Sequence, residues 1–468
     1  MKRSLTSVIA LGLVPVLMAS CAQPADETLL TGGSPGGGPT APVSSDDPAA
    51  VADRAVEDVS AFWRETYPDL YGGEFEEVAG FYPYGPDTEP PPCGSPPPEY
   101  EMIADNAFYC PGDDIIAWDE GQLMPALNNE FGAFTVAIVI AHEFGHAIQA
   151  RFVTGDRTVD LELQADCFAG AWTARVADGD AQGFEPGDVD LDKTVAGMIA
   201  IRDVPGTSAD DPYAHGSGFD RVSAFQDGYE NRAEKCAEYA NESEDRRTAE
   251  IEFQDEDDYD RGGNFPLEDA DAPDGQGLLT LLEQDLNTYY DRLFTELGEQ
   301  FAAVDDLVLV DPASDSVACG GDTLAGDELD YAAVYCEDEN VVVLDGEGLV
   351  ASLNDEIGDF AVASEVARLW ALAAQSQLGS GDGDDADLQA DCLTGAWAAW
   401  TFPATGEGSA PSELLEMSAG DLDEGIMGFV AYGTATGADG RTVFERTEAL
   451  RTGFFEAYDA CEEYGPLG

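Results

Sequence analysis

Apolar positions set the outline of this chain before any single residue does. Residues 51–67 carry apolar side chains at helical spacing, including Val51, Ala55, Val59, Phe62 and Trp63. Phe131 to Val153 is apolar almost throughout and long enough for a buried helix. Further helices are expected at 161–177, 188–203 and 217–240. Gly170 interrupts the helix over 161–177; it lowers helix propensity there and permits close packing. A proline-rich stretch ends in Pro96-Pro97-Pro98. Two short runs, 107–109 and 114–118 (Asp114-Ile115-Ile116-Ala117-Trp118), read as strands. The pattern predicts an α+β fold, mainly helical.

The same pattern then returns. Phe108-Tyr109-Cys110 recurs as Val334-Tyr335-Cys336, and Leu127-Asn128-Asn129-Glu130-Phe131-Gly132 as Leu353-Asn354-Asp355-Glu356-Ile357-Gly358, at one fixed offset. Gln164-Ala165-Asp166-Cys167 recurs as Gln389-Ala390-Asp391-Cys392, one residue short of that offset. Phe219-Asp220-Arg221 returns as Phe444-Glu445-Arg446. A single one-residue gap keeps the two stretches in register, which predicts a tandem duplication over roughly 51–240 and 278–465. The join, 241–277, is acidic and poor in apolar residues and reads as a solvated linker.

Composition adds a setting. Against 20 Lys and Arg stand 95 Asp and Glu, a formal net charge of −75. Such a surface repels nucleic acid, so no nucleic-acid partner is expected. Residues 1–21 read as a targeting segment: Lys2 and Arg3, an apolar run from Leu5 to Met18, then Met18-Ala19-Ser20-Cys21, which resembles a bacterial lipobox with Cys21 as the lipidated residue. The alternative is an ordinary signal peptide with an incidental cysteine. Residues 22–50, rich in Gly, Pro and Ser, read as a flexible tether. No other segment reads as a membrane span. The expectation is an exported chain, held by a lipid anchor on the outer face of the membrane.

Nine cysteines less Cys21 leave an even number, suited to an oxidising compartment. Each repeat holds four at equivalent places. Symmetry favours pairing within repeats: Cys93–Cys110 and Cys167–Cys236, then Cys319–Cys336 and Cys392–Cys461.

The chain has 3 histidines, and two stand in His142-Glu143-Phe144-Gly145-His146. On a helix, positions i and i+4 share a face, so both imidazoles reach one metal ion, with Glu143 beside it to take a proton from a bound water. A zinc site needs a third protein ligand, and Glu162 is the candidate, returned by an antiparallel second helix. Asp166, one turn on, suits an acceptor for the free N–H of a ligating imidazole. His215, in His215-Gly216-Ser217 with Arg221 downstream, is placed to donate to an oxyanion, or is simply a satisfied histidine. Arg221 reads as structural, because Arg446 persists in the second repeat. Gly381-Asp382-Gly383-Asp384-Asp385 lacks EF-hand spacing and reads as a solvated loop.

These motifs together resemble the bacterial putative neutral zinc metallopeptidase family and, more distantly, gluzincins that share a Glu-x-x-x-Asp element. The resemblance implies a zincin-like fold and one zinc ion on His142, His146 and Glu162. It also implies Glu143 as catalytic base, His215 as transition-state stabiliser, and a peptide or protein substrate. The alternative is a non-catalytic surface protein, binding or structural, on a protease-derived zinc fold.

The second repeat has lost the motif. His142 aligns with Arg368, Glu143 with Leu369, His146 with Leu372, Glu162 with Asp387 and His215 with Gly440. Arg368 is expected to pair with Asp387 or Asp391 in place of the metal, and Leu369, Trp370 and Leu372 to fill the former cleft.

Overall fold

The first helix, α1 (Pro48–Tyr71), starts where Asp47 accepts a hydrogen bond from the Ala49 amide (3.3 Å) and Pro48 takes the first turn, where a missing N–H leaves nothing unsatisfied. The computed structural model describes residues 47–467 except 153–157, 210, 212, 240–247, 250, 271, 273–274, 381–384, 403–411 and 434–440. The leader with Cys21, most of the tether, residues 381–384 and Gly440 lie outside the described residues.

After α1 come β1 (Gly80–Tyr84), β2 (Ala107–Cys110) and β3 (Ile115–Asp119), then α2 (Leu123–Phe131), α3 (Ala133–Phe152), α4 (Thr158–Ala177), α5 (Leu191–Ala200) and α6 (Gly218–Glu238). The sheet order is β1-β3-β2: β1 runs parallel to β3 with Gly80 opposite Ile115, and β2 runs antiparallel with Ala107 opposite Trp118. The apolar pattern did not reveal β1. It reads GFYPY, and Pro83 suits it only to the edge it occupies. The long apolar run also divides, because Gly132 sits at φ 91° and closes α2 just before α3 begins.

The chain continues with α7 (Glu256–Asp260), α8 (Leu278–Leu297), β4 (Asp306–Val310), the hairpin β5 (Ser316–Cys319) and β6 (Asp322–Ala325), β7 (Ala333–Cys336) and β8 (Val341–Asp345). Helices α9 (Ala351–Glu356), α10 (Asp359–Leu378), α11 (Ala386–Thr401), α12 (Asp421–Tyr432) and α13 (Val443–Glu456) complete it. The second main sheet has the order β4-β8-β7, again one parallel and one antiparallel pairing.

Glycine sets the helix spacing in both halves. A Cβ on Gly170 of α4 would lie 2.0 Å from the Phe225 carbonyl oxygen of α6, and one on Gly228 would lie 1.8 Å from that of Cys167. Gly395 and Gly453 stand in the same relation to Leu450 and Cys392, at 1.9 and 1.8 Å. Disulfide Cys167–Cys236 joins α4 to α6 covalently, and Cys392–Cys461 joins α11 to the short turn that follows α13. Cys93–Cys110 and Cys319–Cys336 close the loops before β2 and β7. All four pair as the repeat predicts.

One apolar core runs through both halves. Phe219 of α6 packs against Phe454 and Phe455, and Tyr229 against Phe444. The long apolar run forms a buried helix, as expected, whereas the acidic join departs from the expected solvated linker. Helix α3 is by length and composition apolar enough to cross a membrane, yet 78% of its apolar window is buried inside the fold; periodicity does not separate a core helix from a span. The described part of the acidic join does not stand free in solvent. Asp258 is buried, Phe265 and Leu267 pack on the core, and the Phe265 amide donates to Asp359 (2.8 Å). Asp258 is withdrawn from solvent, while Asp255, Glu256, Asp257 and Asp260 around it stay exposed.

Candidate metal centre

Helices α3 and α4 lie side by side, and their facing turns bring three donors together. His142 and His146 are one turn apart on α3, with Nε2 atoms 3.2 Å from each other. Glu162, on the first turns of α4, places Oε2 at 3.2 Å from His142 Nε2 and Oε1 at 3.4 Å from His146 Nε2. The three ligand atoms lie within 4.8 Å of one another. Gly145 allows the approach: a Cβ there would meet Ala165 of α4 at 2.7 Å.

The other face of each ring is held. Asp166 Oδ1 lies 2.7 Å from His142 Nδ1. Gln149 Oε1 lies 2.9 Å from His146 Nδ1, and the Gln149 amide donates to the Leu161 carbonyl (2.6 Å) and to Gln164 Oε1 (3.2 Å). Asp166 is itself gripped by Arg221, whose Nε and Nη2 donate to its two oxygens at 2.8 and 3.0 Å. With both Nδ1 atoms engaged, both Nε2 atoms face the Glu162 carboxylate. Two imidazole nitrogens and one carboxylate, oriented by outer partners, fit the donor set of a catalytic zinc ion.

The charges agree. Burial opposes ionisation of His142, but Asp166 and Glu162 outweigh it and raise its pKa to about 10. Burial likewise opposes ionisation of Glu162, and the two histidines hold its carboxyl well below the usual range.

A small cavity opens beside this group, lined by Leu127, Val139, His142, Glu143, His215 and Arg221 among others. Its volume of about 40 Å³ has room for a water or two. Glu143 is fully buried within it. His215 reaches it from the loop before α6. Its Nδ1 lies 3.1 Å from Asp203 Oδ1, and the His215 and Gly216 amides donate to Asp203 Oδ2 at 2.6 and 2.8 Å. Burial lowers the His215 pKa, but the bond to Asp203 together with the charges of Glu162 and Asp203 outweighs it and raises it. The second half completes this loop: Asp423 of α12 accepts from the Gly218 and Phe219 amides at the start of α6 (3.1 and 2.7 Å) and pairs with Arg202 (3.0 Å).

Residues 92–239 match the model of the putative neutral zinc metallopeptidase family. The match takes in α3, α4 and α6 and every residue of the site described above except Asp423. The chain is also 30% identical over 150 residues to an uncharacterized protein of Mycobacterium tuberculosis, covering 26% of this chain and 51% of that protein. It is 31% identical over 150 residues to the uncharacterized protein YpfJ of Escherichia coli, covering 26% and 50%. The chain thus spans about half the length of the curated relatives it matches. No solved structure matches it significantly.

Of the residues singled out from sequence, the structure brings His142, Glu143, His146, Glu162, Asp166 and His215 to one place. The sequence reading missed Gln149, Asp203 and Asp423. Gln149 carried a usable signal, since Gln375 stands at the equivalent position of the second repeat and makes the same bonds, to the Ala386 carbonyl (2.8 Å) and Gln389 (2.9 Å). Asp203 and Asp423 act through the loop before α6, which no periodicity reaches.

In the second half Arg368 stands where His142 does. Its Nη2 lies 2.6 Å from Asp387 and its Nε 3.3 Å from Asp391, so it meets both acids named from sequence. Leu369 and Trp370 are fully buried and Leu372 half-buried. Arg446 grips Asp391 at 2.8 and 2.9 Å as Arg221 grips Asp166.

Proposed function

We propose that the chain is a zinc-dependent peptidase, exported and held at the outer face of the membrane by lipid on Cys21. We further propose that its second half is a duplicate of the metallopeptidase fold whose site has been lost. The observation that carries the catalytic reading is the convergence of His142 Nε2, His146 Nε2 and the Glu162 carboxylate within 4.8 Å, with both Nδ1 atoms engaged elsewhere. The export reading draws support from four disulfides.

Zinc bound by His142, His146 and Glu162 would polarise a carbonyl and lower the pKa of a bound water toward ~7. Glu143, in the same cavity, takes the proton from the attacking water and delivers it to the leaving amine. His215, whose protonated form Asp203 favours, donates to the carbonyl oxygen as negative charge develops there. Asp166 and Arg221 fix the His142 ring so that Nε2 keeps its direction.

The test is turnover of a broad peptide library by the wild type and by Glu143→Ala, with zinc content measured in both. Zinc retained and turnover reduced by a factor of about 10² to 10⁴ supports the reading. Bound zinc with no turnover of any peptide by the wild type would make the chain a binding or structural protein.

A further inference from the structure

A second convergence of acidic groups lies in the second half, with no histidine among its members. Asp359 opens α10, and Asp421 and Glu424 lie in the first turn of α12. One carboxylate oxygen from each falls within 4.8 Å of the others. Asp359 and Asp421 are each 6% exposed and Glu424 8%.

The second oxygen of each is engaged by backbone. Phe265 N donates to Asp359 Oδ2 (2.8 Å), Ser418 N to Asp421 Oδ2 (2.9 Å) and Phe360 N to Glu424 Oε2 (2.9 Å). These bonds hold the three carboxylates beside one another. Asp359 Oδ1 and Asp421 Oδ1 are buried and have no hydrogen-bond partner among the described residues. A buried carboxylate oxygen left without a donor is costly, and two in a cluster with a third carboxylate are costlier. Asp258, buried nearby and bonded by Ser418 Oγ (2.6 Å), adds further negative charge. In the first half, the position matching Asp359 is Ala133; the group belongs to the second half alone.

We propose that Asp359, Asp421 and Glu424 bind a divalent cation of the calcium class. An all-oxygen set without imidazole or thiolate selects a hard ion. Calcium takes six to eight oxygens, more than three carboxylates present singly. The balance comes from water in the adjoining cavity of about 400 Å³, which Asp258, Asp359 and Asp421 line. The ion ties the described end of the acidic join and the starts of α10 and α12 into one unit. Asp423, between two of the ligands, is the residue that caps α6 beside His215. The proposed site therefore braces the support of that loop and does no chemistry itself.

Terbium luminescence on the full chain in 0.15 M salt, with calcium as competitor, tests this. Trp397 lines the same cavity and serves as the sensitiser. Saturable luminescence, displaced by calcium and weakened at least tenfold in affinity by Asp421→Asn and by Glu424→Gln, is expected, with zinc content unchanged in both variants. Wild-type thermal stability should rise with calcium and not with equal sodium charge, a readout independent of how the variants fold. Equal terbium binding in wild type and both variants, or no calcium-dependent stabilisation of the wild type, would overturn the proposal. The carboxylates would then be held protonated without an ion.

Discussion

The pair α3–α4 and the pair α10–α11 are built on one frame and differ in what fills it. In both, an arginine from a later helix grips an aspartate with two hydrogen bonds, Arg221 on Asp166 and Arg446 on Asp391. In both, two glutamines bond to each other and reach across to a cysteine carbonyl, Gln149 and Gln164 to Cys236, Gln375 and Gln389 to Cys461. A tryptophan N–H donates to an aspartate of the first helix in each half, Trp172 to Asp58 and Trp397 to Asp285, both at 2.8 Å. What differs is the centre: His142, His146 and Glu162 in one, Arg368, Leu372 and Asp387 in the other. Bonds present in both halves maintain the fold. Bonds found in one half alone mark what has filled its centre. On this criterion Asp166 does both, since its grip by arginine is shared and its bond to His142 is not.

The largest stability effect should strike both halves alike. Gly170→Ala and Gly395→Ala each push a Cβ to about 2 Å from a backbone oxygen. Each is expected to cost about 3 kcal/mol, read by chemical denaturation. A loss in one half only would break the common frame.

The next effect belongs to the second half. Arg368→Met removes a buried guanidinium. Asp391 keeps Arg446 and Asp387 is 30% exposed at its side chain, so the loss is smaller than for a fully buried pair, about 2 kcal/mol. Zinc content should not change. Loss of zinc in this variant would mean that the two centres are not independent.

The smallest effect sharpens the role of His215. Its pKa is raised by Asp203, so its charged form, and the turnover that depends on it, is present below that pKa and lost as pH rises through it. Asp203→Asn removes the raising partner, and the alkaline limb of the rate profile should move to lower pH with zinc content unchanged. An unmoved limb would leave His215 a structural histidine.

Much of this was legible in the sequence, for identifiable reasons. His142-x-x-x-His146 and Glu162-x-x-x-Asp166 place their side chains by helical periodicity, so helix assignment alone brings them to facing surfaces. The repeat fixed the disulfide pairing and the partners of Arg368. Loops and edges were not legible. Strand β1 hides behind Pro83, and Asp203 meets His215 only because the chain turns back between α5 and α6. Asp258 and Asp359 look like solvated acid in a chain with 95 acidic residues, and only tertiary burial sets them apart.

The difference between the halves is tested most directly by elemental analysis of zinc in the purified full chain, alongside His146→Ala and Arg368→Ala. One zinc per chain in the wild type, none in His146→Ala and one in Arg368→Ala is the predicted result. Two zincs in the wild type, or one that survives His146→Ala, would contradict it.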